Sequence, residues 1–271
     1  MDVRQAEKWI DLEDWGTEMD ENKLPPSEGL AGKQLEFLFQ DAGQTTKCTF
    51  LDRESLLWET GHGQAVKRAY EAIAVSPEIY FIDIAAAGDI NVSTSMVIDI
   101  STRKAMVITA TLPLDRRIRD DFKERSGQGL DLSGIEVRFQ HALINPSSPD
   151  EPVPVHERTS DLVGKRVQYT YSRNRVYEHI YLNDHFYTWH CLEGVEKGLA
   201  DTEYCDYFKI APDIYLFSWR EKIMPTFGLV VINLKDMRSN GKTFGLDIGS
   251  GNYLNFSMGA LAEFLNETKY R

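Results

Sequence analysis

The sequence is poor in cysteine, in long apolar runs and in positive charge. Three of 271 residues are cysteine, Cys48, Cys191 and Cys205. They form no Cys-x-x-Cys motif and no even disulfide framework, so reduced thiols and a cytoplasmic location are expected. No stretch approaches the roughly 18 apolar residues of a spanning helix. The first sixteen residues read neither as a signal peptide nor as an Arg-rich transit peptide, so no membrane partner is expected. There are 30 Lys+Arg against 42 Asp+Glu, a net charge of −12. Nucleic-acid phosphates and anionic lipid surfaces both select the opposite sign, so no nucleic-acid partner is expected either.

What the sequence does have is aromatic residues: 13 Phe, 12 Tyr and 5 Trp, within a hydrophobic fraction of 42%. That composition is globular. The length allows one large domain or two small ones, and either can bury a core.

An internal repeat decides between them. Leu30-Ala-Gly-Lys-Gln-Leu-Glu-Phe-Leu-Phe39 resembles Leu162-Val-Gly-Lys-Arg-Val-Gln-Tyr-Thr-Tyr171. Val75-Ser-Pro-Glu-Ile-Tyr80 resembles Ile210-Ala-Pro-Asp-Ile-Tyr215, and Val97-Ile-Asp-Ile100 resembles Val231-Ile-Asn-Leu234. The offsets are 132, 135 and 134 residues, as a duplicated domain requires. Four of the ten prolines fall between the copies, in residues 141–155. Proline fixes φ and donates no hydrogen bond, so this stretch is expected to be an extended linker. The expected organisation is a leader over 1–29, a first domain over 30–140, a linker over 141–158 and a second domain over 159–271.

Both copies read as β. Short runs rich in β-branched and aromatic residues cover 34–39, 47–51, 79–84, 95–100 and 105–109 in the first. In the second they cover 166–171, 176–181, 186–191, 206–210, 214–220 and 229–234. Strands at regular spacing without intervening helices predict meanders that close into barrels. Helices are expected only at 115–124, charged and packed outside the first barrel, and at 259–268, with Leu261, Phe264 and Leu265 on one face. Ile10 and Trp15 are apolar without a clear period.

Alternation along strands places every second residue on one face. Tyr169 and Tyr171 share a face, where the first copy has Phe37 and Phe39. Tyr215, Phe217, Trp219 and Glu221 share another, where the first copy runs into Ala85-Ala86-Ala87. Phe186, Thr188 and His190 share a third, with Glu59 the nearest counterpart of His190. Only the second copy thus gathers a hydroxyl pair, an imidazole and a carboxylate. Inside a small barrel each costs several kcal/mol unless hydrogen-bonded, on the order of the burial penalty for polar groups. Together they can satisfy one another or hold the polar end of a ligand. A carboxylate buried among Trp and Tyr has a raised pKa, which suits general-acid work.

Other motifs carry less. Gly61-His-Gly-Gln64 and Gly249-Ser-Gly251 lie outside any βαβ context and read as turns. His179, His185 and His190 lack a clean ligand spacing, so no metal is expected. Cys191 reads as a small core residue. Glu193, Glu196, Asp201, Glu203 and Asp206 form an acidic run, expected to be a solvated face at the barrel mouth that repels anions.

Residues 161–245 resemble the bacterial phenolic acid decarboxylases. The shared features are Asp161-x-Val163-Gly164, Tyr169-Thr170-Tyr171, Tyr177-Glu178, Asn183-Asp184-His185, Pro212-x-Ile214-Tyr215 and Trp219-x-Glu221. That resemblance implies a lipocalin-like barrel and a cofactor-free site of two tyrosines, an arginine and a proton-donating glutamate. The tyrosines fall on Tyr169 and Tyr171, the glutamate on Glu221 and the arginine on His190. Because histidine is no permanent carboxylate clamp, the substitution weakens the expectation of decarboxylation.

The whole chain resembles the MoaF-type proteins, named for molybdenum cofactor biosynthesis. The resemblance rests on Leu-x-Gly-Lys opening each copy, on residues 187–201, on Phe217-Ser-Trp-Arg-Glu-Lys222 and on Asn255-Phe256. It implies two tandem lipocalin-like (calycin-like) antiparallel β-barrels, all-β with a few short helices. Related tandem barrels serve as cofactor-free isomerases and cyclases of natural products.

The expectation is therefore an acid–base enzyme, lyase or isomerase/cyclase, without cofactor or metal. It would act on a small apolar or aromatic metabolite inside the second barrel, in a chain with homodimerisation left open. Glu221, His190, Tyr169 and Tyr171 are the expected catalytic residues. Tyr177, His179, Thr188, Phe186, Tyr215, Phe217 and Trp219 are the expected substrate contacts. The alternatives are a non-catalytic small-molecule binder and a factor in molybdenum cofactor biosynthesis.

Overall fold

Alternating apolar side chains and paired backbones build nearly everything in this protein. The computed structural model describes residues 10–40, 45–59, 65–86, 88–112, 114, 122–247 and 249–269. Eight antiparallel strands close a first barrel: β1 (Gln34–Phe39), β2 (Thr45–Phe50), β3 (Ser55–Glu59), β4 (Ala65–Ser76), β5 (Ile79–Ile84), β6 (Val92–Asp99), β7 (Lys104–Thr111) and β8 (Glu136–Ile144). Eight more close a second: β9 (Lys165–Ser172), β10 (Arg175–Tyr181), β11 (Phe186–Glu193), β12 (Ala200–Ala211), β13 (Ile214–Arg220), β14 (Thr226–Asn233), β15 (Arg238–Leu246) and β16 (Tyr253–Glu267). Two short helices complete the described residues, α1 (Leu12–Gly16) and α2 (Phe122–Gly127).

Each barrel is a meander whose last strand returns to its first. Phe37 pairs with Ile144 in the first barrel and Tyr169 with Ala262 in the second. The duplication is visible in the turns. The tight β4–β5 and β12–β13 turns place Glu78 and Asp213 at φ 64° and 60°. The β6–β7 and β14–β15 turns place Arg103 and Met237 at φ 58° and 52°. Non-glycine residues rarely adopt this region, so its recurrence at the repeat offset marks copied backbone geometry.

The two barrels pack side by side through their outer walls. Ile73, Phe81, Val97 and Ile108 of the first bury against Phe208, Leu216, Leu229 and Phe244 of the second. This explains the unbroken apolar run of β14, buried along its whole length: one face lines the barrel and the other lines the seam. The seam also holds a buried ion pair between Lys242 and Asp83 and a hydrogen bond from Asn233 to the Val75 carbonyl at 2.9 Å.

Two expectations are corrected. Residues 259–268 are not a helix; β16 runs through Glu267. The spacing of Leu261, Phe264 and Leu265 imitates a helical face, yet all three are exposed. β16 pairs with β15 on one side and β9 on the other. Without it both strands would present unpaired edges, and satisfying those backbone groups outweighs local periodicity. The proline-rich stretch also begins later than expected, because β8 keeps residues 141–144 in the first barrel. Of the helix expected at 115–124, residues 115–121 lie outside the described residues, and α2 covers 122–127. The Gly61–Gln64 turn lies outside them as well.

Candidate functional site

Inward-facing side chains of the second barrel are mostly aromatic. Tyr169 and Tyr171 of β9, Tyr177, His179 and Tyr181 of β10, Tyr187 and Trp189 of β11, Tyr207 of β12 and Phe217 and Trp219 of β13 form one buried cluster. They divide into two layers. In the deeper one the Tyr169 and Tyr181 hydroxyls bond each other at 2.8 Å, and Phe217 stacks on Tyr207 and Trp219. Nearer the end formed by the β11–β12 and β13–β14 loops, a cavity is lined by Tyr171, Tyr177, His179, Tyr187, Trp189, Glu196, Trp219, Glu221 and Met258. Gly228, paired opposite Trp219, makes room for that indole: a Cβ there would lie 2.1 Å from its ring.

The segment before the first barrel closes this cavity. Trp15 of α1 and Met19 line it, and Leu12, Trp15 and Met19 belong to the second barrel's core. Trp15 packs on Phe256 and Tyr177 at ring distances of 5.8 and 6.4 Å. Arg175 holds the segment by bonds to the Thr17 carbonyl (3.0 Å), the Thr17 hydroxyl (2.6 Å) and the Asp14 carbonyl (3.2 Å). The cavity volume open to a water-sized sphere is about 20 Å³, room for a single water. Trp15 and Met19 thus fill volume that a ligand would need.

Two carboxylates face this space. Glu221, just past the end of β13, accepts a hydrogen bond from Trp219 Nε1 at 3.2 Å. Burial, and then the charges of Glu203 and Glu196, push its pKa well above the ordinary carboxylate range, with the Trp219 bond opposing. Glu196, from the β11–β12 loop, accepts a bond from the Tyr177 hydroxyl at 3.0 Å. Its pKa is also raised, chiefly by burial, with the Tyr177 and Trp15 hydrogen bonds and the Arg175 charge working against that rise. No Lys or Arg is among the cavity's described lining residues. Beside it, Glu203 is buried and its pKa is pushed up to about 8, although Lys222, which also pairs with Asp201 at 2.6 Å, donates to it at 3.1 Å.

Two buried nitrogens at the cavity lack partners: His179 Nδ1 and Trp189 Nε1. Burial among rings lowers the His179 pKa to about 3, so its imidazole is neutral. Such orphaned groups cost about 1–3 kcal/mol each, which marks places where a polar ligand atom would be welcome.

Of the residues expected from sequence, Glu221, Tyr171, Tyr177, His179 and Trp219 meet at this cavity. Tyr169 and Phe217 lie one layer deeper. Tyr215 lies at the opposite end, its hydroxyl donating to Asp161 at 3.2 Å. His190, Thr188 and Phe186 are not in the barrel. On β11 the buried positions are Tyr187, Trp189 and Cys191, and the alternate residues face outward. His190 bonds Glu178 at 2.8 Å on the outer wall, beside the Arg166–Glu178 ion pair. It therefore cannot clamp a carboxylate inside, nor carry a proton there. Parity along β11 was knowable, but which parity faced inward was not, because Trp189 and His190 are both plausible lining residues.

The acidic run is corrected too. Glu196, Glu203 and Asp206 are buried. Asp206 pairs outside the barrel with Arg158 and Arg220 at 2.8 and 3.2 Å. Glu196 is a lining residue that sequence reasoning did not single out, as are Trp15, Met19, Tyr187, Trp189 and Met258. One signal was available for Glu196: it lies next to Val195 in a loop bracketed by Gly194 and Gly198, both at positive φ, so the loop can fold its acid inward.

Comparison with known proteins follows the two barrels. A family model described as the MoaF C-terminal domain matches residues 156–268, and one described as the MoaF N-terminal domain matches residues 7–114. A relative named Protein MoaF from Klebsiella aerogenes is 41% identical over 238 residues, covering 87% of each chain. A solved chain from Burkholderia vietnamiensis, bearing a provisional beta-lactamase name, is 14% identical with a TM-score of 0.34, covering 40% of this chain and all of its own. That last likeness carries no argument.

Proposed function

This chain belongs to the MoaF family, and from that premise we propose that its second barrel is an acid–base site for a small aromatic or polyene molecule, working without a cofactor. One observation carries the reading: two buried carboxylates, Glu196 and Glu221, line one aromatic cavity with no Lys or Arg among its described lining residues. Carboxylates that repel one another do not lose their protons together, and the pair titrates as a unit. One member then serves as general acid while the other is ionised and serves as base.

The remaining residues suit the same chemistry. Tyr177 donates to Glu196 and Trp219 to Glu221, fixing both carboxyl groups. Tyr171 and neutral His179 offer polar contacts to a substrate oxygen or nitrogen. The aromatic walls exclude water, which strengthens every electrostatic contact inside. Proton removal at one carbon and return at another shifts a double bond, as an isomerase does; protonation of an alkene, ring closure and loss of a proton to the ionised carboxylate make a cyclase; and proton removal by one carboxylate with protonation of a departing β-group by the other makes a lyase. With His190 outside, nothing supports a carboxylate clamp, and decarboxylation of an acid substrate is disfavoured by two facing acids. A phosphate-bearing pterin, as a role in molybdenum cofactor biosynthesis would require, likewise finds no cation in this lining.

A second reading is favoured by the filled cavity. A carrier that binds its ligand by displacing Trp15 and Met19 would use the same walls without turnover. Incubating the protein with a metabolite panel in D2O and following deuterium uptake by mass spectrometry separates the two. Uptake that needs Glu221, and is lost in Glu221→Gln, supports the enzyme. Ligand recovered unlabelled, with equal affinity in wild type and variant, overturns it in favour of the carrier.

A further inference from the structure

We infer that the ligand of the second barrel carries a positively charged nitrogen: an organic ammonium whose N–H groups reach Glu196 and Glu221 while its apolar body lies against Trp189 and Trp219. This rests on the reading that the cavity is a small-molecule site, and adds the class of molecule.

Three observations converge. The first is the imbalance of charge. Two carboxylates line the cavity and no cation does. Two basic groups outside the lining make their hydrogen bonds elsewhere: Arg175, whose charge still acts on Glu196, with the Asp14 and Thr17 oxygens, and Lys222 with Asp201, Glu203 and the Thr202 carbonyl. Burying such acids costs stability unless something compensates them. An anionic ligand would make the repulsion worse and a neutral one would leave it. A cation turns it into attraction.

The second is the wall. Trp15, Trp189, Trp219, Tyr171, Tyr177 and Tyr187 surround the acids. Aromatic faces carry negative potential, and clusters of them are the usual cradle for organic ammonium groups. A bare metal ion fits poorly: among the described residues no three His, Cys, Asp or Glu side chains are placed to hold one.

The third is His179. It is 5% exposed, lines the same cavity and leaves Nδ1 without a partner. In the Nε2–H tautomer, Nδ1 is an acceptor, as a third ammonium N–H requires. A chain with net charge −12 also draws cations toward its surface by long-range attraction.

The inference fixes a proton count. The groups facing the pair are Tyr171, Tyr177, His179 and Tyr187 from the strands, Glu203, Asp201 and Lys222 beside the mouth, and Arg175 under the N-terminal segment. Burial holds the pKa of both glutamates above the ordinary carboxylate range, and a cation bound beside them favours their ionised forms. Binding an ammonium therefore releases protons to buffer, and binding an alcohol does not.

The test uses three isosteric probes on the full chain: benzylammonium, benzyl alcohol and benzoate. Binding is read by quenching of tryptophan fluorescence and by calorimetry in two buffers of different ionisation enthalpy. Trp15→Ala, which opens the volume now filled by that indole, is run beside wild type. The expected result is benzylammonium bound at least about tenfold tighter than benzyl alcohol, within the range of a desolvated cation–π contact plus ion pairing. Benzoate is weakest, protons are released, and the preference is lost in Glu196→Gln and Glu221→Gln. Equal affinity for the ammonium and the alcohol overturns the inference and leaves the cavity a ligand site. Failure of all three probes in both wild type and Trp15→Ala overturns the inference and the site reading together.

Discussion

Replacing Glu203 with glutamine should stabilise this protein by an amount that grows with pH. Glu203 is 3% exposed, and burial pushes its pKa from an ordinary 4.5 up to about 8, with the Lys222 charge opposing and Asp201 adding to the rise. The native state therefore holds this proton more tightly than the unfolded chain does. Below about pH 4.5 both states are protonated and the group contributes no pH dependence. Between about 4.5 and 8 the unfolded chain ionises while the native state does not, so stability falls as pH rises, and above 8 it levels off. At about 1.36 kcal/mol for each pH unit, the full loss is about 5 kcal/mol. Glutamine matches the protonated side chain in shape and does not titrate. The gap between Glu203→Gln and wild type should thus be near zero at pH 4.5, about 3 kcal/mol at pH 7 and about 5 kcal/mol at pH 8.5. Urea unfolding of both proteins at several pH values measures it directly. A gap that does not change with pH would refute the reasoning, because it would place the Glu203 carboxyl in a water-like environment.

Other expectations concern the walls of the cavity and what lies outside it. Trp15→Ala removes a buried indole from the mouth and should cost about 3 kcal/mol or more in thermal or urea unfolding. Gly228→Ala puts a Cβ within 2.1 Å of the Trp219 ring, so it should cost about 1–3 kcal/mol and change the near-ultraviolet circular dichroism as the indole leaves Glu221. His190→Ala removes only an outward contact to Glu178, so it should change stability by no more than about 1 kcal/mol and leave probe affinity unchanged.

Much of the architecture was legible because duplication and alternation are local signals. The hairpin turns at Glu78 and Asp213 could be found as matching Pro-acid-Ile-Tyr blocks, and β5 and β13 were bounded correctly from composition alone. β16 was not legible, since its leucines and phenylalanine fall at helical spacing and only the need to close the barrel makes them a strand. At the site, Tyr171, Trp219 and Glu221 are legible from parity along strands, and Tyr177 from the resemblance. Parity could not tell inside from outside on β11, so His190 was placed in the barrel and Trp189 was overlooked. Trp15 and Glu196 enter the cavity from a helix of five residues and a glycine-bracketed loop. Neither has a period to read, and both are brought in by contacts far away in sequence.

The central claim is that Glu196 and Glu221 are buried acids of raised pKa whose charges oppose one another inside the second barrel. Carbon-13 NMR of protein labelled at the glutamate carboxyl, titrated in wild type, Glu196→Gln and Glu221→Gln, tests it most directly. The account predicts two carboxyl resonances that titrate above the ordinary carboxylate range in coupled steps, with the survivor's midpoint falling when its partner becomes glutamine. Two independent titrations in the ordinary range near 4.5, unmoved by either substitution, would contradict it.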